Sequence, residues 1–347
     1  MLTGGDSGTQ VPFTHPPSTR IEEMPSLAHL ESVHEQWLAL WKCCPDATPF
    51  QAPAWILAWA RHFAPDRTRA LAVWRQGVLH ALLPFFTWNG SLLLAGTGPT
   101  DYCDGLFAPG HDDEAGRMLE MLGAIAERES MRVDLQQLRA SSPLLLARTP
   151  AGWLEEMHAG PECPVTQLSG SAGLDGISRQ RLKKLGRLQR HLQNEDGYVL
   201  GPGNDEDTGN AAETLERLHT CRWERRGGRG VLADALMRAF MRTVIPDLSA
   251  AGLLRITQLK VQNRAIAIVF AIQSRRAAYS YLGGFDPEWS HASPGALTIV
   301  AAMKQAAAEG ADEFHFLRGS EAYKYHLGAQ DRPTYRRVLS RSQVPCA

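Results

Sequence analysis

The chain has 347 residues, of which 44% are hydrophobic and 21% charged, with a formal net charge of −1. That length suits about two domains or one large one, and the composition is ordinary for a globular protein. A near-neutral balance excludes a global electrostatic coat for nucleic acid or a membrane surface, so any charge-based function rests on local clusters.

Residues 1–24 hold glycine, proline, threonine and serine without an apolar core, and read as a disordered tail rather than a signal peptide. Leu27, Leu30, His34, Trp37, Leu38 and Trp41 then fall at helical spacing up to Pro45. Pro53 opens a second helix carrying Trp55, Ile56, Trp59 and Phe63. Strand-like runs follow over 70–74, 78–86 and 91–95, with turns at Gln76-Gly77 and Asn89-Gly90. The loop over 96–110 holds Asp101-Tyr102-Cys103-Asp104. A helix with Ala115, Met118, Leu119, Leu122, Ile125 and Ala126 on one face leads to a strand over 131–138.

The same order returns later. Strands over 254–261, 265–272 and 277–282 precede a helix with Ala296, Ile299, Val300, Met303 and Ala307 on one face, and then a strand over 313–317. Laying Gln76-Gly77 on Gln262-Asn263, and Leu138-Arg139 on Leu317-Arg318, needs nearly the same shift; loop lengths account for the difference. The expected fold class is α/β with mixed sheets, built as two tandem units over 25–160 and 161–347. The second includes a basic helix at 178–192 and a helical insert at 207–250. The alternative, a common arrangement occurring twice independently, stays open.

Helix 178–192 carries the strongest charge feature. Leu182, Leu185, Leu188 and Leu192 make an apolar stripe, and Arg179, Arg181, Lys183, Lys184, Arg187 and Arg190 cover the rest with no acid before Glu195. Like charges at i,i+4 cost stability unless a partner neutralises them, which favours an anionic partner over a merely solvated face. Coenzyme A phosphates, a sugar nucleotide and the backbone of an aminoacyl-tRNA all qualify. Arg222, Arg225, Arg226 and Arg229 form a second basic cluster, in which Trp223 is either core or a lid over substrate.

The last quarter gathers further candidates. Tyr279-Ser280-Tyr281-Leu282-Gly283-Gly284-Phe285-Asp286 precedes a helix opening at Pro294-Gly295, with Ser293 placed to cap it. Its free N–H groups and positive dipole end favour a phosphate. Glu321, after the last strand, is a candidate base with Asp286 and His291 behind it, or else a helix-start carboxylate. Tyr323 is placed to pack beside an acyl chain. Lys324 is placed to stabilise an oxyanion or neutralise a donor phosphate, unless it is a plain surface lysine. Asp101 is a ligand for an amine or hydroxyl, or caps its own loop. His315 reads as a core or pocket-lining histidine. The twelve histidines and six cysteines show no metal-ligand spacing, and nucleophile-elbow, Walker and dinucleotide fingerprints are absent. Reduced thiols suit a cytoplasmic protein, and no run nears the ~20 apolar residues of a membrane span.

Asp-Tyr-x-Asp at 101–104, the basic leucine-spaced helix and the Gly-x-Glu-x-Tyr-Lys run at 319–324 resemble CelD-like acyltransferases. These are a branch of the GNAT superfamily linked to exopolysaccharide synthesis, and the resemblance spans about residues 35–339. It implies two GNAT-like units, as in FemAB-type transferases, and attack of an amine on an acyl thioester. That chemistry needs a held thioester, a deprotonated amine and a stabilised oxyanion. On this resemblance the strands at 277–282, with Tyr281, and 313–317 cradle pantetheine, and helix 295–309 takes the pyrophosphate. Asp101, Tyr102 and Asp104 bind an amine or sugar hydroxyl, and Lys324 belongs to the transfer site. The implied co-substrate is acyl-CoA and the implied acceptor an amine or amino sugar, with no resident cofactor, no metal and no DNA. The usual Arg/Gln-x-x-Gly-x-Gly/Ala loop is replaced by His291-Ala-Ser-Pro-Gly-Ala296. An aminoacyl-tRNA-dependent transferase and a non-catalytic scaffold stand as alternatives.

Overall fold

The computed structural model describes residues 19–168 and 174–341. One mixed sheet runs β1 (Thr19–Met24), β2 (Thr68–Arg75), β3 (Val78–Trp88), β4 (Ser91–Leu94), β6 (Arg132–Arg139), β14 (Thr334–Arg341), β7 (Trp153–Ala159), with β5 (Leu106–Phe107) beside β3. The other runs β8 (Val165–Gln167), β13 (Glu313–His315), β12 (Ala277–Phe285), β11 (Arg264–Ser274), β10 (Leu254–Val261), β9 (Val199–Pro202). Neighbours are antiparallel except β4 with β6 and β12 with β13, which are parallel. Each parallel pair is joined by a crossover helix, Glu114–Arg128 in the first unit and Pro294–Ala308 in the second. The chain is thus α/β with two tandem GNAT-like units.

Six strands depart from the sequence expectation: β5, β7, β8 and β14, which it leaves as loop or unassigned, and β1 and β9. Residues 19–24, expected in the disordered tail, form β1 and pair with β2 from Thr19–Arg75 to Met24–Ala70. Residues 1–18 of that tail lie outside the described residues. Residues 199–202 form β9 on the edge beside β10, although Gly201 and Pro202 read as the start of an exposed polar turn over 201–207. Both are short edge strands whose pairing, rather than their own pattern, makes them strands: β1 is polar, and β9 is four residues ending in Gly201-Pro202. In consequence the helices Asp205–Gly209, Ala211–Glu224 and Ala235–Ala250 link β9 to β10, as Leu27–Ser32, His34–Cys43 and Pro53–Phe63 link β1 to β2. The segment expected as an insert is the second unit's copy of a connection that both units have.

The boundary near residue 160 is crossed by one element. β14, from the end of the chain, lies in the first sheet between β6 and β7. It gives β6 the antiparallel neighbour that β8 gives β13.

An aromatic core joins the units. Helix Pro53–Phe63 is apolar on nearly every face and is buried accordingly. It packs on helix Ala235–Ala250, with Trp55 5.1 Å from Phe240 and 4.9 Å from Tyr281. Two further clusters lie under the crossover helices, one per unit.

Candidate active site

β12 and β13 pair only over Ala277–Tyr279 with Glu313–His315. β12 continues to Phe285 while β13 stops, so the strands part and leave an opening. The register of β12 on β11 shifts at Phe270/Ala271, which makes Tyr281 the extra residue of a β-bulge at the mouth. The Tyr281 hydroxyl donates to the Pro99 carbonyl at 2.9 Å, holding a first-unit loop against the opening.

That loop carries Asp101 to Asp104, and the structure sends its residues three ways. Asp101 is buried, with Oδ1 2.6 Å from Nε of Arg318. Burial pushes its carboxyl up, against the pull of Arg318 and Lys324. Tyr102 is buried between the units, its hydroxyl 3.1 Å from His315 Nδ1, while His315 Nε2 lies 3.0 Å from Glu313 Oε2. A carboxylate only accepts, so Nε2 carries the proton and the Tyr102 hydroxyl donates to Nδ1. Burial holds His315 below its usual range, and His315 with Arg332 holds the Glu313 carboxyl well below its own. Tyr102 is therefore a clamp between units, out of substrate's reach. Asp104 faces a separate first-unit cleft, and it, rather than Asp101, caps the loop by accepting from the Gly105 N–H at 2.9 Å.

Lys324 is 2% exposed. Its Nζ donates to the carbonyls of Leu317, Arg318 and Gly319 at 3.1, 2.8 and 2.9 Å, and lies 3.0 Å from Glu321 Oε2. An ammonium has three N–H donors, so none remains for an oxyanion or a donor phosphate in this arrangement. It fixes a turn in which Leu317 (φ 60) and Gly319 (φ 106) are both left-handed. A surface lysine is equally excluded. Glu321 is exposed, and Lys324 and Arg222 outweigh the upward push of burial to keep its carboxyl low, which makes it a weak base.

Tyr323 and Arg222 lie beside the parted strands, Arg222 against β12 and Tyr323 against Phe316 just after β13. Tyr323 is half-buried, 6.2 Å from the Phe316 ring, and burial pushes its hydroxyl up to about 12. Arg222 lies 5.6 Å over the Phe285 ring and donates to the Gly283 carbonyl at 3.4 Å, while its Nε has no partner among the described residues. One turn earlier, His219 is buried with an unpartnered Nδ1, and burial beside Arg222 lowers it to about 4. Trp223 is half-buried, 6.0 Å from His219, under a loop at Gly230. His219 was not among the sequence candidates. The signal was Gly283-Gly284 inside a strand, which marks close backbone approach. A Cβ on Gly284 would fall 2.4 Å from the His219 backbone nitrogen.

At the crossover helix, Ser293 does not cap. It is left-handed (φ 52) and its side chain makes no cap bond, because it joins the Pro287–Ala292 turn to the helix. Asp286 caps that turn, accepting from the Glu288 N–H at 3.1 Å, and so is spent structurally. Gly295 packs under Phe285, whose ring a Cβ would approach to 3.1 Å. The first turn of this helix holds no acid. The basic helix Arg179–Leu192 packs beside it and beside the Pro287–Ala292 turn, through buried Leu185 and Leu192. Ser178 caps the basic helix through the Arg181 N–H at 3.3 Å. Among the described residues no acid pairs with Arg179, Arg181, Lys184, Arg187 or the other cations of that helix. The first unit differs: its crossover helix starts with Asp113 and Glu114, and Glu114 is buried against Arg75. His111, Asp113 and Glu114 bring ligand atoms within 4.8 Å of one another, but Glu114 is already held by Arg75 and Arg117.

Residues 179–325 match the acetyltransferase (GNAT) domain family. Among solved structures, FemX is similar over 88% of this chain and 95% of its own, with 14% identity and a TM-score of 0.64. A conserved protein of unknown function from Bacteroides thetaiotaomicron is similar over 92% and 100%, with 11% identity and a TM-score of 0.62. The C-terminal domain of a putative lysylphosphatidylglycerol synthetase from Agrobacterium fabrum is similar over 89% and 91%, with 11% identity and a TM-score of 0.58. These likenesses concern the fold. No curated protein matches the chain. Among the described residues no helix is long and apolar enough to cross a membrane.

Proposed function

We propose that the second unit transfers an acyl group from acyl-CoA to a primary amine. The observation that carries this reading is the parted β12–β13 pair, beside a helix start that is free of acid and flanked by an unneutralised basic helix. Anionic phosphates suit that helix start, and the acyl end then reaches the opening at Tyr281 and Tyr323. The amine attacks the thioester carbonyl, a C–N bond forms, and the C–S bond breaks. Backbone N–H groups at the Tyr281 bulge suit the developing oxyanion. The Tyr323 hydroxyl is placed to protonate the departing thiolate. Neutral His219, or water, suits the proton lost by the amine. An amino sugar acceptor in cell-envelope polysaccharide synthesis rests on the CelD-like resemblance.

One observation favours a second reading. The cations of helix Arg179–Leu192 span ~17 Å, longer than a pyrophosphate, which suits an aminoacyl-tRNA donor. Calorimetric titration with coenzyme A and acetyl-CoA separates the two. Tight binding that falls with salt, and falls at least ~tenfold when Arg181, Lys184 and Arg187 are changed to Glu, supports acyl-CoA. No binding of either ligand, with binding of an aminoacyl-tRNA, selects the second reading. Failure of all three sinks both.

A further inference from the structure

A cleft of about 260 Å³ in the first unit lies outside the transfer site. Its walls include the 44–47 segment, Gln51, Asp104 to Phe107, Arg139, Ser141 and Pro143. A hollow of about 420 Å³ adjoins it and shares Asp112, Ser141 and Pro143. The polar wall is built around Asp104. One carboxylate oxygen, Oδ1, takes both the Gly105 N–H at 2.9 Å and the Ser142 hydroxyl at 3.0 Å. Oδ2 has no hydrogen-bond donor among the described residues. Arg139, the nearest cation, is engaged elsewhere: it donates to the Asp46 carbonyl and lies 6.0 Å over the Tyr102 ring.

The two units have opposite electrostatics at equivalent places. The second unit's crossover helix begins without acid, beside a row of cations. The first unit's begins at Asp113 and Glu114, which already neutralise its dipole, and Asp46 and Asp112 line the adjoining cleft. A phosphate there would meet carboxylates, while an ammonium would meet the free oxygen of Asp104. Phe107, Pro109 and Pro143 offer an apolar wall for the ligand's body. The volume lies at the small end of ligand pockets, about monosaccharide size.

We infer that this cleft binds a small primary amine, with its ammonium on Asp104 Oδ2 and its body against Phe107 and Pro109. The inference does not depend on which donor the second unit takes. It also gives Asp104 a use: Asp101 and Tyr102 of the same motif are consumed in joining the units, and Asp104 is not. Burial pushes the Asp104 carboxyl up to about 6, against the pull of Arg139, Ser142 and Gly105, with Asp46 adding to the rise. An ammonium on Oδ2 would add countercharge to what Arg139 already supplies.

The test is calorimetric titration of the full chain with glucosamine, N-acetylglucosamine and ethanolamine. Glucosamine should bind near pH 7 and about tenfold more weakly near pH 5, where Asp104 is mostly protonated. N-acetylglucosamine, which lacks the charge, should not bind. Ethanolamine separates an amino-sugar site from a general amine site. Asp104→Asn should abolish binding, and Ser141→Trp, which fills the cleft without touching Asp104, should do the same. Thermal unfolding of both variants serves as the control that they fold, whichever donor the second unit takes. Glucosamine binding that survives both substitutions would overturn the inference, as would no binding of either amine.

Discussion

The hydroxyl of Tyr102, in a loop of the first unit, lies 3.1 Å from Nδ1 of His315, on β13 of the second. His315 passes the contact on to Glu313 at 3.0 Å, and Glu313 pairs with Arg332 at 2.6 Å. Both Tyr102 and His315 are buried, so this chain fixes the first-unit loop at the edge of the candidate site. Tyr102→Phe would leave Nδ1 unsatisfied and should cost about 1–3 kcal/mol in urea unfolding. A variant as stable as the parent would mean that the contact contributes nothing to joining the units.

Lys324 gives a sharper test because two roles predict different readouts. An oxyanion donor would lose turnover at unchanged stability. A buried ammonium serving three carbonyls and Glu321 would lose stability as well. Lys324→Met is expected to destabilise by about 3–5 kcal/mol, the usual cost of breaking a buried charge site from one side. Thermal unfolding measured beside activity decides it, and a fully stable but inactive variant would restore the catalytic role.

How much was legible follows from what local pattern can encode. The β2–β3–β4 and β10–β11–β12 meanders showed through apolar runs and through turns such as Asn89-Gly90. The crossover helices showed through their apolar faces. β1 and β9 did not, since a short edge strand is specified by the neighbour that it pairs with. The placing of β14 in the first sheet follows from tertiary contact alone. Among site residues, position was legible and role was not. Lys324 follows β13, as the sequence suggests, but nothing local says that a lysine will turn inward onto carbonyls. Ser293 has the right type for a cap and fails because its left-handed backbone turns it away from that task.

Gly284 tests the packing that brings His219 and Arg222 to the opening. A Cβ there would fall 2.4 Å from both the His219 nitrogen and the Leu218 carbonyl carbon, and backbone cannot rotate aside as a side chain can. Gly284→Ala should therefore push helix Ala211–Glu224 off β12. The expected loss is about 1–3 kcal/mol or more, seen as a lower urea midpoint. Gly77→Ala is not an equivalent control, since that residue sits at φ 78. Gly201→Ala is, because nothing lies within 4 Å of its Cβ position and its φ is not left-handed. Equal midpoints for the Gly284 and Gly201 variants would show that the helix does not rest on the strand this closely.

Asp104 and His219 should bend the stability curve in opposite directions. The Asp104 carboxyl rises from 3.8 to about 6. Between those values the folded chain binds the proton that the unfolded chain has lost. This contribution to stability is thus complete below about 4 and lost as pH rises through 6. His219 falls from 6.5 to about 4, so there the unfolded chain takes the proton first. Its contribution is present above about 6.5 and lost as pH falls through 4. Asp104→Asn removes only the first effect. The variant should match the parent near pH 4 and exceed it near pH 7, by on the order of 1–3 kcal/mol. Urea unfolding across that range measures the difference directly. A native carboxylate that costs stability at neutral pH is what a ligand-binding group in a cleft would be, and a flat difference curve would show that Asp104 is ordinarily solvated instead.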